Sequence, residues 1–299
     1  MSERPILPGG PARNFLRHPL GRLAVLWAVL ILMFLAIWQF VQPGPRDALV
    51  PDASSPELPS TGGGFPPYAG GLIVAGLLMA LVVLGGRRFN AANSVGLRAL
   101  AEGDFTRAES EFAGLAKRFR WFRAYAAIAG FNLAIARLYQ GRLAEAIERF
   151  GKIETSWSIT NLRPSTACYL AIAYGLRGEL DVARTWLATA EKRVQAAPLK
   201  SVLTGFIDFA RAVIELREGR HEEVHRWLEE HWRGLEGSLT GATLRPLTVV
   251  RAFAAAGAGQ ERGVGAAQRI MQGLDPIRPG EFAMLEVEWP EMKRFLQVA

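Results

Sequence analysis

NLAIARLYQGRLAEAIERF, residues Asn132–Phe150, reads as two helices joined at Gly141. Leu133 and Ala134 precede that glycine by eight and seven residues; Leu143, Ala146, Phe150 and Ile153 follow it by two, five, nine and twelve. The template returns around Gly178, with Leu170 and Ala171 in front and Leu180, Ala183, Leu187 and Ala190 behind. Gly103 carries it in Phe105, Ala108, Phe112 and Leu115, and Gly219 in Val224 and Leu228. Gly257 keeps Val249 and Phe253 in front but little behind. Successive glycines lie 38, 37, 41 and 38 residues apart. A period of this size made of helix pairs indicates an α-solenoid, because a hairpin of about 34 residues cannot bury its apolar stripe alone and stacks on a neighbour. The glycine ends the first helix with a positive φ. The small residue five positions on lets two helices approach, and the larger one nine positions on fills the space between them.

NLAIARLYQGRLAEAI (Asn132–Ile147) and YLAIAYGLRGELDVA (Tyr169–Ala183) resemble the tetratricopeptide repeat (TPR) consensus, and the resemblance extends roughly from Arg88 to Met271. It departs from the pattern in a degenerate fifth unit, slightly long linkers, and Arg211 where repeats two and three carry leucine. The resemblance implies first helices lining a concave face and a role in recruiting or scaffolding a protein, without a cofactor. The expected fold class is therefore all-α: a solenoid of four to five repeats over residues 88–273, with residues 274–299 as a cap. That tail carries Pro276, Pro279 and Pro290, and Phe282, Leu285 and Trp289 supply its apolar contacts.

Ahead of the repeats the composition changes. Residues 1–22 form a basic arm with Arg4, Arg13, Arg17 and Arg22 against Glu3. Residues 23–42 are uncharged, about the 20 residues a bilayer core requires, with Trp27 and Trp38 toward the ends, where interfacial aromatics are favoured. Residues 43–66 are rich in Pro, Gly and Ser and read as a net acidic loop. A second uncharged run, 67–86, is closed by Arg87 and Arg88. The expectation is a two-helix transmembrane hairpin in the inner or cell membrane. Its basic flanks place both termini and the repeats in the cytoplasm. The small residues Gly71 and Gly76 offer a packing surface for self-association through the hairpin.

Three places in the repeats are candidates for function. In the first helices, Ile128, Phe131, Ile135 and Leu138 share one face; Phe206, Phe209, Val213 and Leu216 share another, with Cys168 and Ile172 between. Facing solvent, they make an apolar groove for a peptide or helix. One helical phase away they are core, and a third reading has the chain's own tail close the groove. Between repeats one and two, Lys117, Arg118, Arg120 and Arg123 interleave with Phe119, Trp121 and Phe122. With Arg87 and Arg88 they form a basic cluster suited to anionic head groups. The same features serve nucleic acid less readily, and a solvated turn with its aromatics in the core is the plain alternative.

The third place is His221-Glu222-Glu223-Val224-His225, followed by His231, which matches the H-E-x-x-H zinc-protease helix. His231 falls where metzincins hold their third ligand, but Leu228 stands where that pattern has a glycine. Leu228 is also the residue the repeat template demands. A membrane zinc hydrolase is thus the alternative to the scaffold. The formal charge of +7 follows from arginine bias and basic flanks, and constrains partners weakly. The single cysteine, Cys168, cannot form an internal disulfide and reads as a small buried hydrophobe.

Overall fold

The same piece of backbone closes one helix pair after another. Gly103, Gly141, Gly178 and Gly219 have φ of 76, 76, 78 and 82°. In each case the glycine N–H returns to the carbonyl three residues back, and the next N–H to the carbonyl five back. In repeat two these are Gly141 to Leu138 (2.9 Å) and Arg142 to Arg137 (2.9 Å). This double bond satisfies the last carbonyls of the first helix and requires the left-handed conformation that glycine adopts without strain. The carbonyl of the following residue then accepts the first bond of the second helix, as Arg142 does from Ala146.

The computed structural model describes residues 67–156, 160–196, 200–239, 241–259, 261–274 and 276–298. The basic arm, the first apolar run and the Pro/Gly/Ser-rich stretch lie outside these residues, as do most side chains between Pro67 and Leu81. Two units divide between Gly86 and Arg87. Among the described residues no helix is long and apolar enough to cross a membrane.

The described regular elements are helical, and consecutive helices pack on one another as in an α-solenoid. Helix α1 (Pro67–Ala101) ends in the first helix of repeat one, whose second is α2 (Phe105–Arg118). Repeat two is α3 (Arg123–Tyr139) and α4 (Leu143–Glu154); repeat three is α5 (Arg163–Arg177) and α6 (Leu180–Gln195). Repeat four is α7 (Lys200–Arg217) and α8 (His221–Ser238), and a fifth hairpin is α9 (Gly241–Gly257) and α10 (Glu261–Gln272). Ala108, Ala146, Ala183 and Val224, five residues after their glycines, are completely buried, as are Phe112, Phe150 and Leu228 at nine. Asn132 donates to Asn93 (2.9 Å) across the first helices of repeats one and two, so a polar pair inside this interface is satisfied.

The fifth hairpin corrects the position expected for its turn. The positive φ belongs to Gly259, not Gly257. Gly257 ends α9 and leaves room for His221: a Cβ there would lie 2.1 Å from its Nδ1. The small residue of α10 is Gly263, where a Cβ would come within 2.4 Å of the Ala255 carbonyl, and Ala267 and Met271 follow it into the core. One residue is missing between turn and helix, so the template read from Gly257 misses the buried positions of α10.

After Leu274 the chain turns back along the row of glycine turns. Arg278 donates through its guanidinium to the Glu102 carbonyl, just past α1. The short helix α11 (Ala283–Glu286) passes Gly141, where a Cβ would meet the Ala283 carbonyl at 2.9 Å and Val287 at 3.3 Å. Glu288 pairs with Arg177 at 3.6 Å, and Trp289 takes the Arg217 guanidinium over its ring at 5.3 Å. Trp289 and Phe295 of α12 (Pro290–Val298) both lie edge-on to Phe253, at 5.4 Å. Phe282, Met284, Leu285, Trp289 and Met292 are buried. Arg245 anchors the start of this tail: it binds the Leu274 and Pro276 carbonyls (2.8 and 3.2 Å) and pairs with Glu281, which also accepts from the Arg278 N–H (3.0 Å).

Candidate functional site

The residues proposed to line an open groove lie mostly inside the core. Phe131 and Ile135 are each 8% exposed; Leu138, Ile172, Phe209, Val213 and Leu216 are more deeply buried. Ile128 and Phe206 are partly buried, Ile128 against the Phe89–Phe119 cluster and Phe206 against Tyr169 at 5.1 Å. Phe131 meets Phe150 and Tyr169 edge-on at 5.7 and 5.6 Å, so rings of three helices interlock where a ligand was expected. The superhelix also meets itself. The Tyr139 hydroxyl at the end of α3 is 3.0 Å from that of Thr243 in α9, 104 residues away, and both side chains are buried. Burial pushes the Tyr139 phenol up to about 12. Beside this contact, Phe105, Arg245, Pro246 and Arg278 line a cleft of about 210 Å³ between repeat one, α9 and the tail. Of the alternatives open in sequence, burial places these side chains in the core, and the tail runs over the adjoining turns.

The three histidines are not gathered. His221 lies edge-on to Phe253 at 5.1 Å with its Nδ1 buried and unpartnered, and burial lowers its pKa. His225 approaches Glu229 at 3.9 Å, and Glu229 is already bound by Arg251 at 2.7 Å. His231 stacks on Trp227 at 5.0 Å and places Nδ1 2.9 Å from the Trp227 carbonyl. Among the described residues no three His, Cys, Asp or Glu side chains form a set able to hold a metal ion. Cys168 is fully buried among Ala167, Ala190, Val194, Leu203 and Ile207, and burial pushes its thiol up to about 12.

The basic–aromatic stretch is divided between core and solvent. Phe119 is buried and meets Phe89 edge-on at 5.3 Å. Trp121 is 80% exposed and Phe122 48%, so only one of the three aromatics enters the core. The Arg120 guanidinium lies over the Trp121 ring at 5.0 Å, a cation–π contact. Arg87, Arg88, Lys117, Arg118, Arg120 and Arg123 are all exposed. Between the start of α3 and the end of α4 opens a cleft of about 690 Å³. Arg120, Arg123, Arg149 and Lys152 line it over a floor that includes Ala126, Gly130 and Ile153, and no carboxylate does. Arg149 and Lys152 were not legible as site residues. They lie on α4, beside core Phe150 and Ile153, and only folding brings them to residues 120–123. A basic residue bordering the buried stripe of the second helix is the one signal sequence offers.

No family model matches the chain, and no curated protein or solved structure does.

Proposed function

We propose that this chain is a membrane-tethered, TPR-like scaffold. The uncharged runs 23–42 and 67–86 fix it in the bilayer with the repeats on the cytoplasmic side, and the solenoid presents an outer surface to a protein partner. The observation that supports this reading best is the stack of helix hairpins itself, an architecture whose usual use is recruitment. Because Phe131, Phe209 and their neighbours are buried, we assign the partner to the outer face rather than the inner one.

Two measurements test it. Alkaline carbonate should leave the full chain in the membrane pellet, and release into the supernatant would overturn the tether. Crosslinked capture from native membranes should return the same dominant partner with the whole chain and with one stopped after Gly273. A partner gained only on truncation would return binding to the inner face, and no specific partner with either chain would overturn the scaffold.

A further inference from the structure

Many arginines of the repeats meet carboxylates, though Arg107, Arg163 and Arg233, with others, form no ion pair among the described residues. Arg137, Arg142, Arg193, Arg211, Arg245 and Arg251 each pair with a glutamate, at 3.0 Å or less. Around the 690 Å³ cleft the pattern stops. Among the described residues Arg120, Arg123 and Arg149 form no ion pair, and the Nε of Arg149 is buried with no hydrogen-bond partner. The Lys152 ammonium bonds Glu148, on the exposed surface beside the cleft. Burial pulls the Arg149 pKa down, with the neighbouring Arg137 charge acting the same way and outweighing the opposing charges of Glu148, Glu145 and Glu109. A buried guanidinium N–H without a partner is costly, and an anion in the cleft removes that cost.

The second half of the observation is apolar. Trp121 and Phe122, next in sequence to the cleft residues Arg120 and Arg123, are exposed, and the cleft is lined in part by Ala126, Gly130 and Ile153. A site for free phosphate has no use for an exposed indole. A nucleic-acid site would use the same charges and rings, but its phosphates repeat along a track, whereas these three arginines converge on one cleft. Indole and phenyl rings beside arginines suit the head-group level of a bilayer, where amphipathic rings are favoured and nearby basic residues are attracted to anionic lipid.

We infer that this cleft binds the phosphate of an anionic phospholipid: Arg123 and Arg149 hold the phosphate, Arg120 and Lys152 flank it, and Trp121 and Phe122 enter the head-group region. The inference uses the membrane reading above only for the source of the lipid. It adds a second contact with the bilayer, made by the folded repeats themselves.

Native mass spectrometry of the full chain in neutral detergent tests it, with phosphatidylglycerol titrated against phosphatidylcholine. The wild type should retain phosphatidylglycerol with at least tenfold preference. An Arg123→Gln, Arg149→Gln double variant should lose that preference with unchanged circular dichroism and melting. Should the Arg149 change disturb folding, Arg123→Gln with Lys152→Gln alters two peripheral positions and should lower the preference at least threefold. Trp121→Ala separates lipid from free anion: lipid retention should fall severalfold while inorganic phosphate binding is unchanged. Equal retention of both lipids by the wild type, or an unchanged preference in the folded variants, overturns the proposal. Phosphate binding without lipid preference overturns the lipid as occupant, and arginine-dependent binding of an oligouridylate without lipid preference assigns the cleft to nucleic acid. A chain that stays soluble without detergent yet prefers phosphatidylglycerol sinks the tether alone. A tethered chain with no preference sinks the cleft alone.

Discussion

The two edges of the solenoid are treated oppositely. Along the edge of glycine turns, the tail from Leu274 covers the backbone and fills the space beside Gly141 and Phe253 with Phe282, Leu285 and Trp289. Along the edge where repeat one connects to repeat two, Trp121 and Phe122 stay uncovered and three arginines stay unpaired. The chain therefore carries the means to cover apolar surface and to neutralise arginine, and uses neither at the second edge. Exposed aromatics are common enough singly. Exposed aromatics beside a cleft that gathers three arginines and a lysine point to something outside the chain.

The difference between the edges is open to measurement. Stopping the chain after Gly273 should have the largest effect. It removes six buried side chains, each worth about 1.5–3 kcal/mol when fully buried, and should abolish the cooperative urea transition of the full chain in detergent. Maleimide labelling of Cys168, buried in the folded protein, should report the same loss. A truncated chain that unfolds at the wild-type midpoint would show that the tail only rests on the edge. Charge placed at the interlocked rings acts similarly: Phe131→Glu and Phe209→Glu should fail to fold rather than lose a ligand, because each buries a carboxylate without a partner.

A finer comparison uses two glycines of equal conformation. Gly219 has φ 82° and nothing within 4 Å of a modest side chain, whereas Gly141 has φ 76° and the tail against it. Gly219→Ala should cost about 1–2 kcal/mol for left-handed backbone alone. Gly141→Ala should cost that plus about 1–3 kcal/mol for displacing α11. Equal losses in thermal melts would mean the tail yields freely.

Next comes the anchor of the tail. Burial raises the Glu281 pKa, but the hydrogen bonds from Arg245 and the Arg278 N–H, with the charges of both arginines, outweigh it and hold the group below the ordinary 4.5. A carboxylate whose folded pKa is depressed contributes stability above its unfolded pKa and loses it as pH falls through the folded one. The tail should therefore loosen below about pH 4.5. Glu281→Gln should lower stability at pH 7 by about 1–2 kcal/mol and flatten that acid limb. An unchanged limb in the variant would assign acid sensitivity to Glu109 and Glu229, which are also depressed. The smallest stability effect belongs to the open edge: Trp121→Ala should stay within about 0.5 kcal/mol of wild type. A larger loss would make that ring a packing residue.

The parts legible in sequence were those fixed by local chemistry. A turn bonded like Gly141 and Gly178 needs glycine, and the close helix approach at Ala146 and Ala183 needs a small residue, so spacing alone reveals the hairpins. The fifth hairpin escaped because one deleted residue moves Gly263 and Ala267 out of phase. The tail escaped for a different reason: its partners Glu102, Gly141, Arg177 and Arg217 lie far away in sequence, and no local pattern records them. The cleft was half legible. The interleaved residues 117–123 marked it, but Arg149 belongs to another helix, and periodicity could not tell buried Phe119 from exposed Trp121.

A simple repeat array can be made and unmade one hairpin at a time. The bond from Arg278 to the Glu102 carbonyl joins residues 176 positions apart, so here a later-made segment staples repeat one. At roughly 5–20 residues per second, the glycine edge of repeat one waits roughly nine to thirty-five seconds for its cover. During that interval the nascent chain displays a strip of unsealed apolar surface, and chaperones have a natural time to act on it. Once the seal is made, the repeats should unfold together rather than fray from one end, and loss of residues 276–298 should harm the protein more than their distance from repeat one suggests.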